Sequence, residues 1–281
     1  MPKPIIIGIH GLLNKPPYQT LQSWWGKAIA EGLRRNYDIP VMPPFELAYW
    51  ADIRHDNPIS VADLNEKYEK VDGHGPFARY GIRALDKPRA IAQKWGGRML
   101  DKEKELIGLG TKVEDLLGRK FDDLADYYDS ADIRQQMRAR LKALLARHHD
   151  KRIMLLAHSM GSIIAYDVLR SYDDSGTIKI DHFVTLGSPL GLPIVGHKIW
   201  DEFGTKQTPH VVRRWTNIAD PGDKVALDCN LADEYAPYNG VQVEDVLVYN
   251  RYANHEGVAN NHKSYGYLRT PELSNYIRKF M

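Results

Sequence analysis

Residues 153–171 read Ile-Met-Leu-Leu-Ala-His-Ser-Met-Gly-Ser-Ile-Ile-Ala-Tyr-Asp-Val-Leu-Arg-Ser, and the change of pattern inside this stretch decides the fold. Ile153–Ala157 is a short continuous apolar run, as a strand buried on both faces requires. An apolar helix follows from about Met160 to Ser171. Between them Ala157-His158-Ser159-Met160-Gly161 places a serine in the turn from strand to helix, flanked by small residues. Such a turn is strained, and neighbouring backbone packs too close for large side chains on either side. Glycine is the usual first small residue; alanine, the next smallest, strains the pattern without excluding it. A small-x-Ser-x-Gly string arises by chance in about one chain in five of this length, so the context carries the argument. The strand stands before it, the helix after it, and free N–H groups at the helix start favour developing negative charge. The plain alternative is that Ser159 is an ordinary helix N-cap.

Working outward, Ile5–Ile9 is β-branched except at Gly8 and stops at His10-Gly11, which predicts another short buried strand. From Thr20 onward Leu21, Trp24, Trp25, Ala28, Ile29 and Leu33 recur at the spacing of one buried helix face. Ile39–Tyr49 is apolar but broken by prolines at 40, 43 and 44, so it can be only a short or edge strand. Asp52 to roughly Ser130 is charged, carries Gly73-His74-Gly75-Pro76 and shows no convincing strand; it is expected to be a mostly helical insertion, serving as a lid or cap. Helical periodicity returns at Ile133, Met137, Leu141, Leu144 and Leu145 and lasts to His148-His149, a pair suited to a solvated helix end. Further strands are expected at Ile178–Leu186, Val211–Ile218 and Val243–Tyr249, and a last helix from about Pro271. Strands alternating with helices imply an α/β fold, a mainly parallel sheet flanked by helices on both faces, with ligands at the carboxyl ends of the strands.

The chain's 281 residues suffice for one catalytic domain with a large insertion. With 38 Lys plus Arg against 36 Asp plus Glu, the formal net charge of +2 lacks the basic excess of a nucleic-acid binder. The single cysteine, Cys229, excludes an intrachain disulfide and leaves a thiol metal site nothing to build on, which favours a reducing compartment. The apolar run at Ile5–Ile9 is too short for a signal core or a membrane span, and no window nears the ~20 apolar residues a spanning helix needs. A cytoplasmic protein is expected.

A serine hydroxyl attacks well only when a base takes its proton and a third group orients that base. In sheets of this layout the chain order is serine, acid, histidine. Two histidines follow the last strand: His255, close to the strand end, and His262, in the polar loop Asn260–Tyr265 before the final helix; His262 is favoured. The acid must leave a strand end, and Asp220 and Asp223, on either side of the turn Pro221-Gly222, compete for the place. Asp220 could instead initiate that turn. His10 suits a bracing role better than a catalytic one, and a merely structural place suits it equally well.

His10-Gly11-Leu12, AHSMG at 157–161, Thr185-Leu186-Gly187-Ser188-Pro189, Asp223-x-Val225 and a late His-x-Ser-Tyr together resemble the lipase and esterase branch of the α/β-hydrolase superfamily. The resemblance spans nearly the whole chain outside the insertion. It implies an α/β-hydrolase fold whose sheet starts at what would be the third strand of a full-length sheet. It also implies oxyanion-binding N–H groups on Leu12 and Met160, and its acid-x-Val pattern favours Asp223. The activity implied is hydrolysis of a small-molecule or lipid carboxylic ester through an acyl-serine intermediate, with no cofactor and no metal. Thioester and amide cleavage use the same machinery, and a non-catalytic interaction protein can occupy the same fold.

One stretch stands apart. Between residues 79 and 104 eight Lys and Arg face three acidic residues, with Phe77, Tyr80, Ile82, Leu85, Ile91 and Trp95 interleaved. Residues 77–104 are therefore suited to peripheral contact with an anionic membrane, although a solvated helix face has the same composition.

Overall fold

Ile5, Ile7 and Ile9 point to one side of the first strand and Ile6 to the other, and every one of them is buried. That strand, β1 (Pro4–Ile9), pairs in parallel with β2 (Phe45–Ala48) on one side and with β3 (Arg152–His158) on the other. The computed structural model describes residues 2–80, 122–172, 176, 178–226 and 228–281. Among these, β4 (His182–Leu186), β5 (Trp215–Ala219) and β6 (Val243–Leu247) complete a six-stranded sheet of order β2-β1-β3-β4-β5-β6, parallel throughout. The edge place of β2 suits the proline-broken segment that supplies it, since a missing N–H is tolerated at an edge.

Seven α-helices are described: α1 (Tyr18–Tyr37), α2 (Asp122–Asp129), α3 (Ala131–Arg147), α4 (Met160–Arg170), α5 (Pro193–Phe203), α6 (Ser264–Leu268) and α7 (Pro271–Phe280). They divide between the two faces. Ile5, Ile7, Ile153 and Leu155 pack with Met137 and Leu141 of α3, Ile163 and Ile164 of α4 and Val195 and Ile199 of α5. Ile6, Met154 and Leu156 pack with Trp25 and Ile29 of α1, Tyr267 of α6 and Leu273 and Ile277 of α7. Strand side chains alternate between faces, so a strand covered on both must be apolar at every position, as Ile153–Ala157 is. Each fully buried Ile or Leu contributes about 1.5–3 kcal/mol, which makes this double layer the main stabiliser of the sheet.

The 52–130 segment differs from expectation where it is described. Residues 51–80 contain no α-helix: apart from 3-10 turns at Ala51–Ile53 and Val61–Asp63 they run irregularly. They are held instead by partners elsewhere in the chain. Glu31 of α1 accepts from Val71 N–H, Arg35 donates to the carbonyls of Val71 and Gly75, and Arg269 donates to the carbonyl of Glu69. At the far end α2 is helical, and its Leu124 and Tyr127 belong to the main core. Both described ends of the segment are thus packed against the helices and sheet of the rest of the chain. Residues 81–121, and with them most of 77–104, lie outside the described residues.

A second correction concerns the helix end at 148–149. His149 is exposed, but His148 is buried, with Nε2 3.0 Å from Glu46 Oε1 of β2. The helix end packs on the edge strand instead of facing solvent. No described helix is long and apolar enough to cross a membrane.

Candidate functional site

Ser159 sits at the carboxyl end of β3, near the middle of the sheet, in a conformation (φ 55°, ψ −133°) that non-glycine residues rarely adopt. Such backbone costs about 1–3 kcal/mol and persists only where its surroundings over-determine it. Here they do. Ser159 N–H donates to the carbonyl of Leu186 (3.1 Å) and its carbonyl accepts from Ser162 N–H (2.8 Å), tying the turn to β4 and to the first turn of α4. The small residues around it are steric necessities. A methyl group on Gly161 would stand 2.6 Å from the carbonyl oxygens of both Ile9 and His10, and one on Gly11 would stand 2.6 Å from Ser159 Cβ.

His262 comes to this serine from the loop between β6 and α6. Its Nε2 lies 2.9 Å from Ser159 Oγ, and its Nδ1 lies 2.8 and 3.0 Å from the two carboxylate oxygens of Asp223. A carboxylate on Nδ1 holds the ring proton there, which leaves Nε2 free to accept from the serine hydroxyl. Asp223 is in turn held by Val225 N–H on Oδ1 (2.8 Å) and by the Tyr267 hydroxyl on Oδ2 (2.7 Å). The competing acid is occupied elsewhere. Asp220 accepts from Gly222 N–H (2.7 Å), Asn261 Nδ2 (3.3 Å) and Asn250 N–H (2.6 Å), so it shapes the turn and joins it to the end of β6. His255 is exposed and, among the described hydrogen bonds, has none to Ser159 or to either aspartate.

The loop after β1 completes the site. His10 donates through Nδ1 to the carbonyl of Gly11 (2.9 Å), accepts from Trp50 N–H through Nε2 (3.1 Å), and stacks on the Trp50 ring at 4.7 Å. Burial, with Lys15 adding repulsion, holds its pKa well below the usual histidine range, so the ring is neutral and acts as a brace. Leu12 follows within this loop, and Met160 is the first residue of α4. Among the described residues neither of their N–H groups has a hydrogen-bond partner.

A parallel sheet with a strained serine after its central strand, followed in chain order by an acid after β5 and a histidine after β6, has one reading among α/β folds. The fold is that of an α/β hydrolase. Residues 106–194, about a third of the chain's length, match the family profile of lecithin:cholesterol acyltransferase, a span that runs through the Ser159 turn and β4. Among solved structures a candidate cell surface hydrolase from Lactobacillus plantarum WCFS1 is similar at 12% identity and a TM-score of 0.41, covering 99% of this chain and 90% of that one. No curated protein matches.

Several residues of this site lie beyond what its motifs indicate. Tyr267 of α6 donates to Asp223 and accepts from Asp220 N–H (3.0 Å), so one buried phenol positions both ends of the acid turn. Gly187 makes room for it: a methyl there would stand 2.7 Å from Asp223 Oδ2 and 2.9 Å from the Tyr267 ring. His158 donates from Nε2 to the carbonyl of His262 (2.7 Å), with the two rings 4.8 Å apart. Burial, with repulsion from His262 added, keeps His158 well below the usual histidine range, so its ring is neutral. Glu66, from the irregular segment, accepts from Asn260 Nδ2 (2.7 Å) and Lys263 Nζ (3.0 Å), and Asn260 in turn accepts the N–H of His262 (2.9 Å). Glu66, almost 200 residues upstream, carries no local signal of this role.

Proposed function

We propose that the protein cleaves a carboxylic ester by nucleophilic attack of Ser159, with His262 as base and Asp223 as the acid that orients it. The observation that carries this reading is His262 bridging the two, 2.9 Å from Ser159 Oγ and 2.8 Å from Asp223 Oδ2. As Ser159 Oγ attacks the ester carbonyl, His262 Nε2 takes the hydroxyl proton and Asp223 stabilises the resulting imidazolium. The carbonyl oxygen becomes an oxyanion facing the N–H groups of Leu12 and Met160, each worth about 3–4 kcal/mol where such donors are preorganised. Collapse returns the proton to the departing alkoxide, leaves an acyl-serine, and a water activated by the same histidine releases the acid. Acyl transfer to an alcohol is a second reading, favoured by the acyltransferase profile over residues 106–194. It shares every step except the last acceptor.

The test is a series of p-nitrophenyl esters of increasing acyl length, run on wild type and Ser159→Ala, with a fluorophosphonate probe alongside. Wild type should turn over the esters and take up the probe, and Ser159→Ala should do neither while keeping its circular dichroism. Labelling of the variant at the wild-type rate would overturn the assignment. Adding a primary alcohol separates the readings, since an acyltransferase diverts product into the new ester at millimolar acceptor. A lid role for the insertion predicts that replacing residues 81–121 by a short Gly/Ser linker changes acyl-length preference more than acetate turnover. The flanks are kept in that variant because they carry core residues.

A further inference from the structure

Leu12 N–H belongs to one of two consecutive peptide units whose other polar groups are all occupied. The carbonyl of Gly11 accepts from His10 Nδ1 at 2.9 Å. In the next unit the N–H of Leu13 donates to Asp123 Oδ2 at 2.6 Å, and the carbonyl of Leu12 accepts from the ammonium of Lys15, which also reaches the carbonyl of Leu13 at 2.9 Å. A carboxylate thus holds one end of the 12–13 peptide and an amine the other. Leu13 has φ 72°, a left-handed conformation that a leucine leaves readily when nothing fixes the planes around it.

We propose that Asp123 and Lys15 are positioning residues for the oxyanion donor Leu12. A trans peptide points its N–H opposite to its C=O, so locking the 12–13 plane fixes the direction from which the 11–12 plane can be approached and leaves the Leu12 N–H aimed at substrate. Asp123 is suited to this work. It is buried on α2, with Arg54 Nε at 3.8 Å and His55 Nε2 at 3.4 Å beside its other oxygen, so its carboxylate is held from both sides. Because α2 is the return helix of the 52–130 segment, that segment contributes to the reaction through a residue 110 positions from the loop it orients.

The inference rests on Leu12 serving as an oxyanion donor. Removing one such donor costs roughly a hundredfold to a thousandfold in kcat, and misdirecting it should cost somewhat less. Asp123→Ala is therefore expected to lower kcat about thirtyfold or more on a p-nitrophenyl ester, with KM within threefold of wild type. Binding of a trifluoromethyl ketone, which mimics the tetrahedral state, should fall in parallel. Asp123→Asn keeps an acceptor oxygen for Leu13 N–H and should recover most of the loss; Lys15→Met should lower kcat at least fivefold with KM unchanged. A folded Asp123→Ala with kcat within threefold of wild type, or equal loss in the Ala and Asn variants expressed mainly in KM, overturns the proposal. Should Asp123→Ala not fold, Asp123→Asn and Lys15→Met decide: wild-type ketone affinity in Lys15→Met rejects it. Ser159→Ala measured in the same series separates the two levels, because turnover surviving there rejects the catalytic reading itself.

Discussion

Replacing Asp223 by asparagine tests which of two neighbouring aspartates orients the base. Both carboxylate oxygens of Asp223 lie within reach of His262 Nδ1, at 2.8 and 3.0 Å, so whichever oxygen becomes an amide nitrogen, an N–H group stands beside that ring atom. Nor can the amide choose freely. A nitrogen in the Oδ1 place meets Val225 N–H at 2.8 Å, and one in the Oδ2 place meets a Tyr267 hydroxyl that already accepts from Asp220 N–H. The ring is driven toward the tautomer protonated on Nε2, which cannot take the serine proton. Wrong-tautomer substitutions of this kind cost about 10⁴ in kcat, equivalent to about 5 kcal/mol of barrier. Asp220→Asn should behave differently. Its oxygens serve Gly222, Asn261 and Asn250, so an amide leaves a buried N–H facing another N–H and costs about 1–3 kcal/mol of stability, with turnover per folded molecule within about tenfold of wild type. The assay is kcat on p-nitrophenyl butyrate, paired with urea denaturation of both variants. An inactive Asp220→Asn beside an active Asp223→Asn, both folded, would falsify the assignment.

His262→Ala should lose turnover nearly as completely as Ser159→Ala, because nucleophile and base act as a unit, whereas His255→Ala, at an exposed position, should retain it; kcat on one ester decides. Gly161→Ala places a methyl 2.6 Å from two backbone carbonyl oxygens at the end of β1, so overpacking should cost about 2–3 kcal/mol in urea denaturation, and a wild-type midpoint would contradict the packing described. His182 is buried against Thr216 and pushed down to about 3, first by burial and then by Arg214. Its unfolded pKa is about 6.5, so the unfolded chain binds the extra proton; the neutral ring's contribution is complete above pH 6.5 and is lost as pH falls from 6.5 toward 3. The loss runs at about 1.4 kcal/mol per pH unit. His182→Gln should therefore flatten the decline of stability between pH 6.5 and 4.5 by about 2–3 kcal/mol relative to wild type, measured by denaturation at each pH.

The layered fold follows from the order of residues alone, because strands covered on both faces must be apolar at every position while helices show a period of about 3.6. Those two patterns separate 153–157 from 160–171 without any tertiary information; the observed strand, Arg152–His158, is one residue longer at each end, and the observed helix, Met160–Arg170, starts where expected and ends one residue earlier. The strained serine was legible for the same reason, since close backbone demands small residues on either side of it. Helix α5 was not legible: Val195 and Ile199 face the core, but exposed Ile194 and Trp200 blur the stripe, and a proline begins it. Irregularity at 54–80 was hidden too, because its order comes from Glu31, Arg35 and Arg269 rather than from its own periodicity. The choice of acid belonged to the tertiary structure. Asp220 and Asp223 leave the same strand end three residues apart, and only the placement of Tyr267, Asn250 and the His262 loop decides which carboxylate faces the ring. The same holds for Asp123, Lys15 and Glu66, whose roles arise from contacts that local sequence cannot encode, since a hydrogen bond across 110 residues leaves no periodic trace.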